Sequence, residues 1–337
     1  MSTLNTASLS RFLLEQGLTH NKEVTVTALS GGQSNPTYIV HDGAQRLVLR
    51  KKPSGQLLAS AHAIDREYRV MDALKDSDVP VPDMLAYCDN VEVLGTPFYV
   101  MAFLEGRVLM DQSLPGWTAS DRAVLYDDIN RVISALHAVD HRRLGLEGFG
   151  KEGRYVQRQI ERWTKQTLAS TVPVPPALVK LMQWLPDNLP DGDDETTLIH
   201  GDFRLDNLIL HPTEPRVIGV LDWELSTLGH PMSDFAYHAM SWHIAPSLWR
   251  GIGGLDLAAL GIPAEADYVH RYAERSGRDP LRHWAFYLAF SLFRMSAILH
   301  GIAQRAADGT AASVDAVETG RKAGPLAELG WACAQRA

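Results

Sequence analysis

Residues 198–223 read Leu-Ile-His-Gly-Asp-Phe-Arg-Leu-Asp-Asn-Leu-Ile-Leu-His-Pro-Thr-Glu-Pro-Arg-Val-Ile-Gly-Val-Leu-Asp-Trp. Within this stretch His200, Asp202 and Asn207 take the spacing H-x-D-x-x-x-x-N, and a second apolar run, 217–221, delivers Asp222. The residue types matter as much as the spacing. Asp202 can orient a hydroxyl, while the amide oxygen of Asn207 and the carboxylate of Asp222 are the hard donors that Mg²⁺ prefers. In a loose phosphoryl-transfer transition state the acceptor proton leaves late, so a carboxylate that steers the hydroxyl suffices and strong basicity is not required. Each residue alone could be an ordinary turn residue. Their order, spacing and flanking strands together specify the constellation.

Working outward, Asn207 opens the run Leu208-Ile209-Leu210, which is expected to pair with 217–221, so that both metal donors converge across a hairpin-like segment, 198–222. Arg204, two residues after Asp202, is placed to neutralise a transferring phosphoryl group, unless it is a plain surface arginine. His200 reads as a scaffold residue. Asp234, opening a helix after Gly229-His230-Pro231, reads as structural, either capping that helix or accepting bonds from the loop that carries Asp202. Glu224 is a candidate further contact to metal or substrate.

Upstream, residues 24–29, 37–40, 47–49 and 98–101 are rich in β-branched and aromatic side chains and bounded by turn residues, as strands are. One helix interrupts them over about 60–75, with Ile64, Tyr68, Met71 and Leu74 at helical spacing, and Val79-Pro80-Val81-Pro82 stops it. Between the first two strands, Gly31, Gly32 and Ser34 form a small turn through which backbone could approach phosphate oxygens, although a plain hairpin would look the same. The third strand ends Arg50-Lys51-Lys52. Period-2 alternation puts Val48, Arg50 and Lys52 on one face and Lys51 on the other. Glu67 falls on the inward side of the helix, where it needs a partner or must be solvated, and Arg50 is the first candidate.

After Leu104 the texture turns helical. Helices are expected over 7–17 (before the sheet), 121–139 with Thr118 and Asp121 as an approximate capping box, 155–168 and 177–184. A boundary near residue 103 divides a nucleotide-binding lobe, 1–103, from a catalytic and substrate-binding lobe, 104–337.

These motifs carry a resemblance. The chain resembles the aminoglycoside phosphotransferase/choline kinase family, and more narrowly the phosphotransferase domain found fused to acyl-CoA dehydrogenases, through Leu49-Arg50-Lys51-Lys52-Pro53, Ala61-His62-Ala63-Ile64-Asp65-Arg66-Glu67-Tyr68, His200-Gly201-Asp202-Phe203-Arg204-Leu205-Asp206-Asn207 and Leu221-Asp222-Trp223-Glu224. It extends over nearly the whole chain. The resemblance implies an α+β, bilobal protein-kinase-like fold: a small N-terminal antiparallel β lobe with one helix and a larger, mainly helical C-terminal lobe. It implies an ATP- and Mg²⁺-dependent small-molecule kinase in which Asp202 is the base, Asn207 and Asp222 hold the metal, and Glu67 pairs with Arg50. Adenine is expected at the hinge through backbone groups around Met101 and Phe103. The helix opening at Asp234 begins soon after Asp222, too soon for a long activation segment, which argues against protein substrates.

For the acceptor, Tyr155 and Arg158 at the start of the 155–168 helix suggest an anionic or amphiphilic hydroxyl compound, with a hydroxyacyl compound as one candidate. Two other readings compete: a catalytically inactive kinase-like nucleotide-binding module, and a two-metal hydrolase built on His200, Asp202, His211, Asp222, His230 and His238.

The whole chain bounds the rest. Its 337 residues are 45% apolar with a net charge of −8, and its pI is near 5.9, which argues against nucleic acid as a partner. Two cysteines make no disulfide framework, and residues 1–14 lack a basic stretch followed by a long apolar run, so a cytoplasmic location is the simplest expectation. The apolar run 284–293 ends at Arg294 and reads as a buried helix rather than a membrane span. Oligomeric state is not legible.

Overall fold

The computed structural model describes residues 4–29, 35–53, 63–191, 194–311 and 313–337, without the side chains of 280 and 281. It begins with α1 (Thr6–Glu15), capped by Asn5, whose side chain accepts the Ser8 N–H. Then come β1 (Thr25–Ala28), β2 (Thr37–His41), β3 (Arg46–Lys51), α2 (Ile64–Leu74), β4 (Met84–Cys88), the single turn α3 (Val91–Leu94) and β5 (Phe98–Ala102). The five strands form one antiparallel sheet ordered β1-β2-β3-β5-β4.

Alternation along the strands sorts the side chains to two faces. Leu47, Leu49, Phe98 and Val100 pack with Leu9 and Leu13 of α1, whereas Val48, Tyr99 and Met101 join α2 in the main core. Lys51 follows the first set. Its Nζ is buried and donates to the Leu94 carbonyl at 2.9 Å, which leaves Arg50 on the α2 side.

The second lobe contains α4 (Ala119–Ala138), α5 (Tyr155–Leu168), α6 (Pro176–Asp187), four short strands and six further helices. The strands are β6 (Thr197–Ile199), β7 (Leu208–Leu210), β8 (Val217–Val220) and β9 (Thr227–Gly229). The helices are α7 (Pro231–Ala239), α8 (Leu257–Leu260), α9 (Glu265–Ser276), α10 (Trp284–Ala307), α11 (Ala316–Arg321) and α12 (Ala323–Ala334). The Thr118–Asp121 cap is present: Thr118 Oγ accepts the Asp121 N–H at 3.1 Å and donates to its carboxylate at 2.7 Å.

Two expectations change. Segment 198–222 is not one hairpin. β7 pairs with β8 as expected, but β6 pairs with β9, because Gly201 and a 3₁₀ turn at Leu205–Asn207 redirect the chain between β6 and β7. The apolar helix is also longer than the run 284–293. α10 has 24 residues, long and apolar enough to cross a membrane, yet 78% of its most apolar window is buried within this fold, with Arg294 inside. It is the central helix of the large lobe, packed by α5, α6, α7, α11 and α12.

Candidate active site

The loop between β6 and β7 is held from below. Asp234, in the first turn of α7, accepts the N–H groups of His200 and Gly201, both at 2.8 Å. Burial would raise this carboxyl, but hydrogen bonding from His137 and His200 outweighs it and keeps the pKa below the ordinary value. His137 lies 3.3 Å from Asp234 through Nε2 and 2.7 Å from the Tyr272 hydroxyl through Nδ1, which fits a neutral ring with its proton on Nε2. His200 Nε2 reaches the Leu221 carbonyl at 2.9 Å, locking this loop to the end of β8. His200 and Asp234 are therefore scaffold residues.

Above that scaffold stands Asp202. Its Oδ2 accepts from Arg204 at 2.9 Å and from Asn207 Nδ2 at 3.1 Å; its Oδ1 accepts from the Tyr237 hydroxyl at 2.8 Å. Asn207 Nδ2 also donates to the Asp202 carbonyl at 2.8 Å, so the amide is oriented and its oxygen is left as an acceptor. Arg204 lies also 3.5 Å from Asp206.

Asp222 follows β8 in a left-handed conformation, φ 64° and ψ 54°, which an Asp tolerates better than most residues. Its carboxylate is 37% exposed and lies 2.9 Å from Arg50 NH2. Arg50 Nε is 2.9 Å from Glu67 Oε2, so the sheet, α2 and the Asp222 loop meet at one guanidinium. Burial works against that charge. Glu67, Tyr99 and Asp222 more than offset it and hold the Arg50 pKa above its ordinary value. Glu67 accepts further bonds from Asn35 at 2.7 Å and Tyr99 at 3.0 Å.

Arg50, Asp202, Arg204, Asn207 and Asp222 line one cleft of about 770 Å³. Its other walls were not anticipated: Arg250, Trp249 and Tyr237, and an apolar side formed by Val108, Met110, Leu225, Ile298, Leu299 and Ile302. Arg250 pairs with Asp206. A signal for Tyr237 existed, since it lies one helical turn after Asp234 on the same face.

The remaining expected site residues lie elsewhere. Gly31, Gly32 and Ser34 fall outside the described residues. Met101 sits inside β5 between Val48 and Met84, and Phe103 lies under the Arg46 guanidinium; neither lines the cleft. Glu224, in the turn after Asp222, comes within 4.0 Å of Arg50. Tyr155 and Arg158 require correction as acceptor contacts. Tyr155 is a core residue, and Arg158 donates to the carbonyls of Lys151 and Gly153, because the N-terminal turn of α5 closes that loop rather than facing the cleft.

The two-metal arrangement does not assemble. His211 accepts the Glu214 N–H, His230 caps α7, and His238 bonds Tyr268; among the described residues no group of three His, Cys, Asp or Glu could hold a metal.

The sequence profile of the phosphotransferase enzyme family matches residues 25–286. The chain belongs to this family. As a member it is a small-molecule kinase, with the kinase-like fold that the two lobes display. A crystal structure from Ralstonia eutropha JMP134, provisionally described as an aminoglycoside phosphotransferase, is 52% identical, with TM-score 0.92 and 99% of each chain covered. A thermostable mutant of aminoglycoside phosphotransferase APH(4)-Ia, in ternary complex with AMP-PNP and hygromycin B, shares the fold at 17% identity and TM-score 0.62, covering 96% of this phosphotransferase and 99% of that chain. Among curated relatives, mouse (Mus musculus) acyl-CoA dehydrogenase family member 10 is 47% identical over 302 residues, 89% of this chain. The match spans 28% of that relative's length.

Proposed function

We propose that this phosphotransferase moves the γ-phosphoryl group of ATP to the hydroxyl of a small molecule, with Asp202 orienting the acceptor. The observation that carries the reading is the convergence of Asp202, Asn207 and Asp222 on one cleft that Arg50 also enters. The donors suit Mg²⁺: an oriented amide oxygen and a partly exposed carboxylate, both hard ligands. When bound there, the ion would supply charge neutralisation to the phosphate oxygens.

The residues of the chain account for the rest. Arg50 presents a fixed cation to the polyphosphate, and Arg204 a second one beside Asp202. The acceptor O–H donates to the Asp202 carboxylate while its oxygen attacks phosphorus. The bond from phosphorus to the β,γ-bridging oxygen breaks, ADP leaves, and the proton passes to Asp202 and then to solvent. Gly31, Gly32 and Ser34 remain proposed phosphate contacts, with Met101 and Phe103 at the adenine edge and Glu224 beside the metal donors.

The acceptor proposed is a hydroxyacyl compound or a similar alcohol with an apolar body. Supporting this is the apolar lining from Val108, Met110, Leu225, Ile298, Leu299 and Ile302, which suits an apolar body, while the three arginines of the cleft are matched by Asp202, Asp206 and Asp222. The name of the mouse relative is compatible with it.

The test is a thermal-shift and phosphorylation screen with Mg²⁺, ATP and a library of hydroxyl compounds that includes hydroxyacyl thioesters and aminoglycosides. ATP at 100 times its Kd should stabilise the fold by about 2.7 kcal/mol. Asp202→Asn should abolish transfer and retain ATP binding. Absence of an ATP-dependent shift would refute the reading. A shift with no acceptor phosphorylated across the library would favour an inactive nucleotide-binding module.

A further inference from the structure

Tyr237 and Arg294 connect the acceptor wall of the cleft to Asp202. Tyr237 is almost fully buried on α7 and donates its hydroxyl to Asp202 Oδ1 at 2.8 Å. The guanidinium of Arg294 sits 4.8 Å from the centre of the Tyr237 ring, and its NH2 donates to the Gly201 carbonyl at 2.6 Å. One cation therefore contacts both the loop residue before Asp202 and the ring whose hydroxyl holds its carboxylate.

Arg294 is 6% exposed in the middle of an apolar helix, and among the described residues its Nε has no hydrogen-bond partner. Burial works against this charge, and Tyr155, Tyr237, Asp202 and Asp234 around it more than offset that and hold its pKa above the ordinary value. The helix that carries Arg294 also presents Ile298, Leu299 and Ile302 to the cleft. An acceptor seated against that wall rests on the same rigid helix that fixes the Asp202 loop.

We propose that Tyr237 and Arg294 are positioning residues for phosphoryl transfer: Tyr237 sets the orientation of the Asp202 carboxylate, and Arg294 ties that orientation to the acceptor-binding face of α10. This rests on the reading of Asp202 as the hydroxyl-orienting group. A misplacement of about 1 Å at a reacting group can cost on the order of 100-fold in rate, so two contacts of this kind are enough to matter.

The decisive variant is Tyr237→Phe, which keeps the ring under Arg294 and removes only the bond to Asp202. With Mg-ATP and an acceptor phosphorylated by the wild-type chain, kcat should fall by roughly 10- to 100-fold. KM for ATP should stay the same, and the unfolding midpoint should fall only by what one hydrogen bond contributes. Arg294→Lys should lower kcat in the same way, and if it fails to fold, Tyr237→Phe still decides. Wild-type kcat in Tyr237→Phe, or a rise in KM for ATP that accounts for the loss, would overturn the inference while leaving the functional reading intact. A wild-type chain that phosphorylates no acceptor would remove both.

Discussion

Arg50 and Asp222 lie 172 residues apart in the chain and 2.9 Å apart in space. The same guanidinium contacts Glu67, whose side chain is 1% exposed, so one cation joins the sheet, α2 and the second lobe. Arg50→Met would leave the Glu67 carboxylate buried with, among the described residues, Asn35 and Tyr99 as its donors. Breaking a buried pair in this way typically costs about 3–5 kcal/mol. Urea unfolding measures it, and a loss below about 1 kcal/mol would show that the pair contributes little beyond what surface pairs do. Arg50→Lys should not restore the wild-type value, because an ammonium cannot span both carboxylates as the planar fork does.

Gly201 is the backbone hinge of the site. Its φ is +83°, and a Cβ there would lie 2.6 Å from the Leu225 carbonyl oxygen. Gly201→Ala should cost about 1–3 kcal/mol in strain and displace the neighbouring Asp202, with a much larger effect on turnover than on Tm. Gly17→Ala provides the control. It also has a positive φ, but nothing lies within 4 Å of the added methyl, so turnover should stay at the wild-type level.

Asp222 separates charge from backbone strain. Because its φ is 64°, Asp222→Ala would combine loss of a donor with a strained conformation. Asp222→Asn keeps a residue that accepts the left-handed region and removes the negative charge. Calorimetric titration with ATP should show the Mg²⁺-dependent part of the affinity sharply reduced in Asp222→Asn, with the Mg²⁺-free part little changed. Equal Mg²⁺ dependence in variant and wild type would contradict the assigned role.

Acid should weaken the fold through His238. Burial pulls this imidazole from 6.5 down to about 4. The unfolded chain takes up a proton near pH 6.5 while the folded chain resists until about pH 4. Stability from this residue is complete above pH 6.5 and is lost as pH falls through that window. The folded state would lose up to about 3 kcal/mol, since one proton taken up by the unfolded chain alone costs about 1.4 kcal/mol per pH step. His238→Gln should flatten the slope of stability against pH between 6.5 and 4, and an unchanged slope would assign the acid sensitivity to other groups.

Much of the geometry was legible from local pattern. Alternation along 47–52 was enough to send Arg50 and Lys51 to opposite faces, because a strand leaves no other choice. Glu67 at helical spacing from Ile64 and Met71 had to face inward, and it does. The strand β4 was missed since Met-Leu-Ala-Tyr-Cys carries no β-branched residue; pairing with β5 makes it a strand, and that partner is not local. Tyr155 and Arg158 misled for a related reason. An aromatic and a cation at a helix start look alike whether they face a cleft or close a loop, and only the packing of α5 separates the two.

The sequence by itself was enough to bring Asp202, Asn207 and Asp222 to one cleft, because they are near enough in the chain that two short strands and one turn suffice. It also named Arg50 as the first candidate partner of Glu67, on the correct face of the strand, and the structure, by burying Glu67 beside it, decided against a solvated carboxylate. Only the tertiary structure decided which side chains complete the cleft. Tyr237 holds Asp202 from α7, Arg294 reaches the same loop from the middle of an apolar helix, and Ile298, Leu299 and Ile302 form the wall opposite the charges. These contacts join segments 35 or more residues apart, and the favourable partners of a buried charge are set by what packs around it, not by its neighbours in sequence.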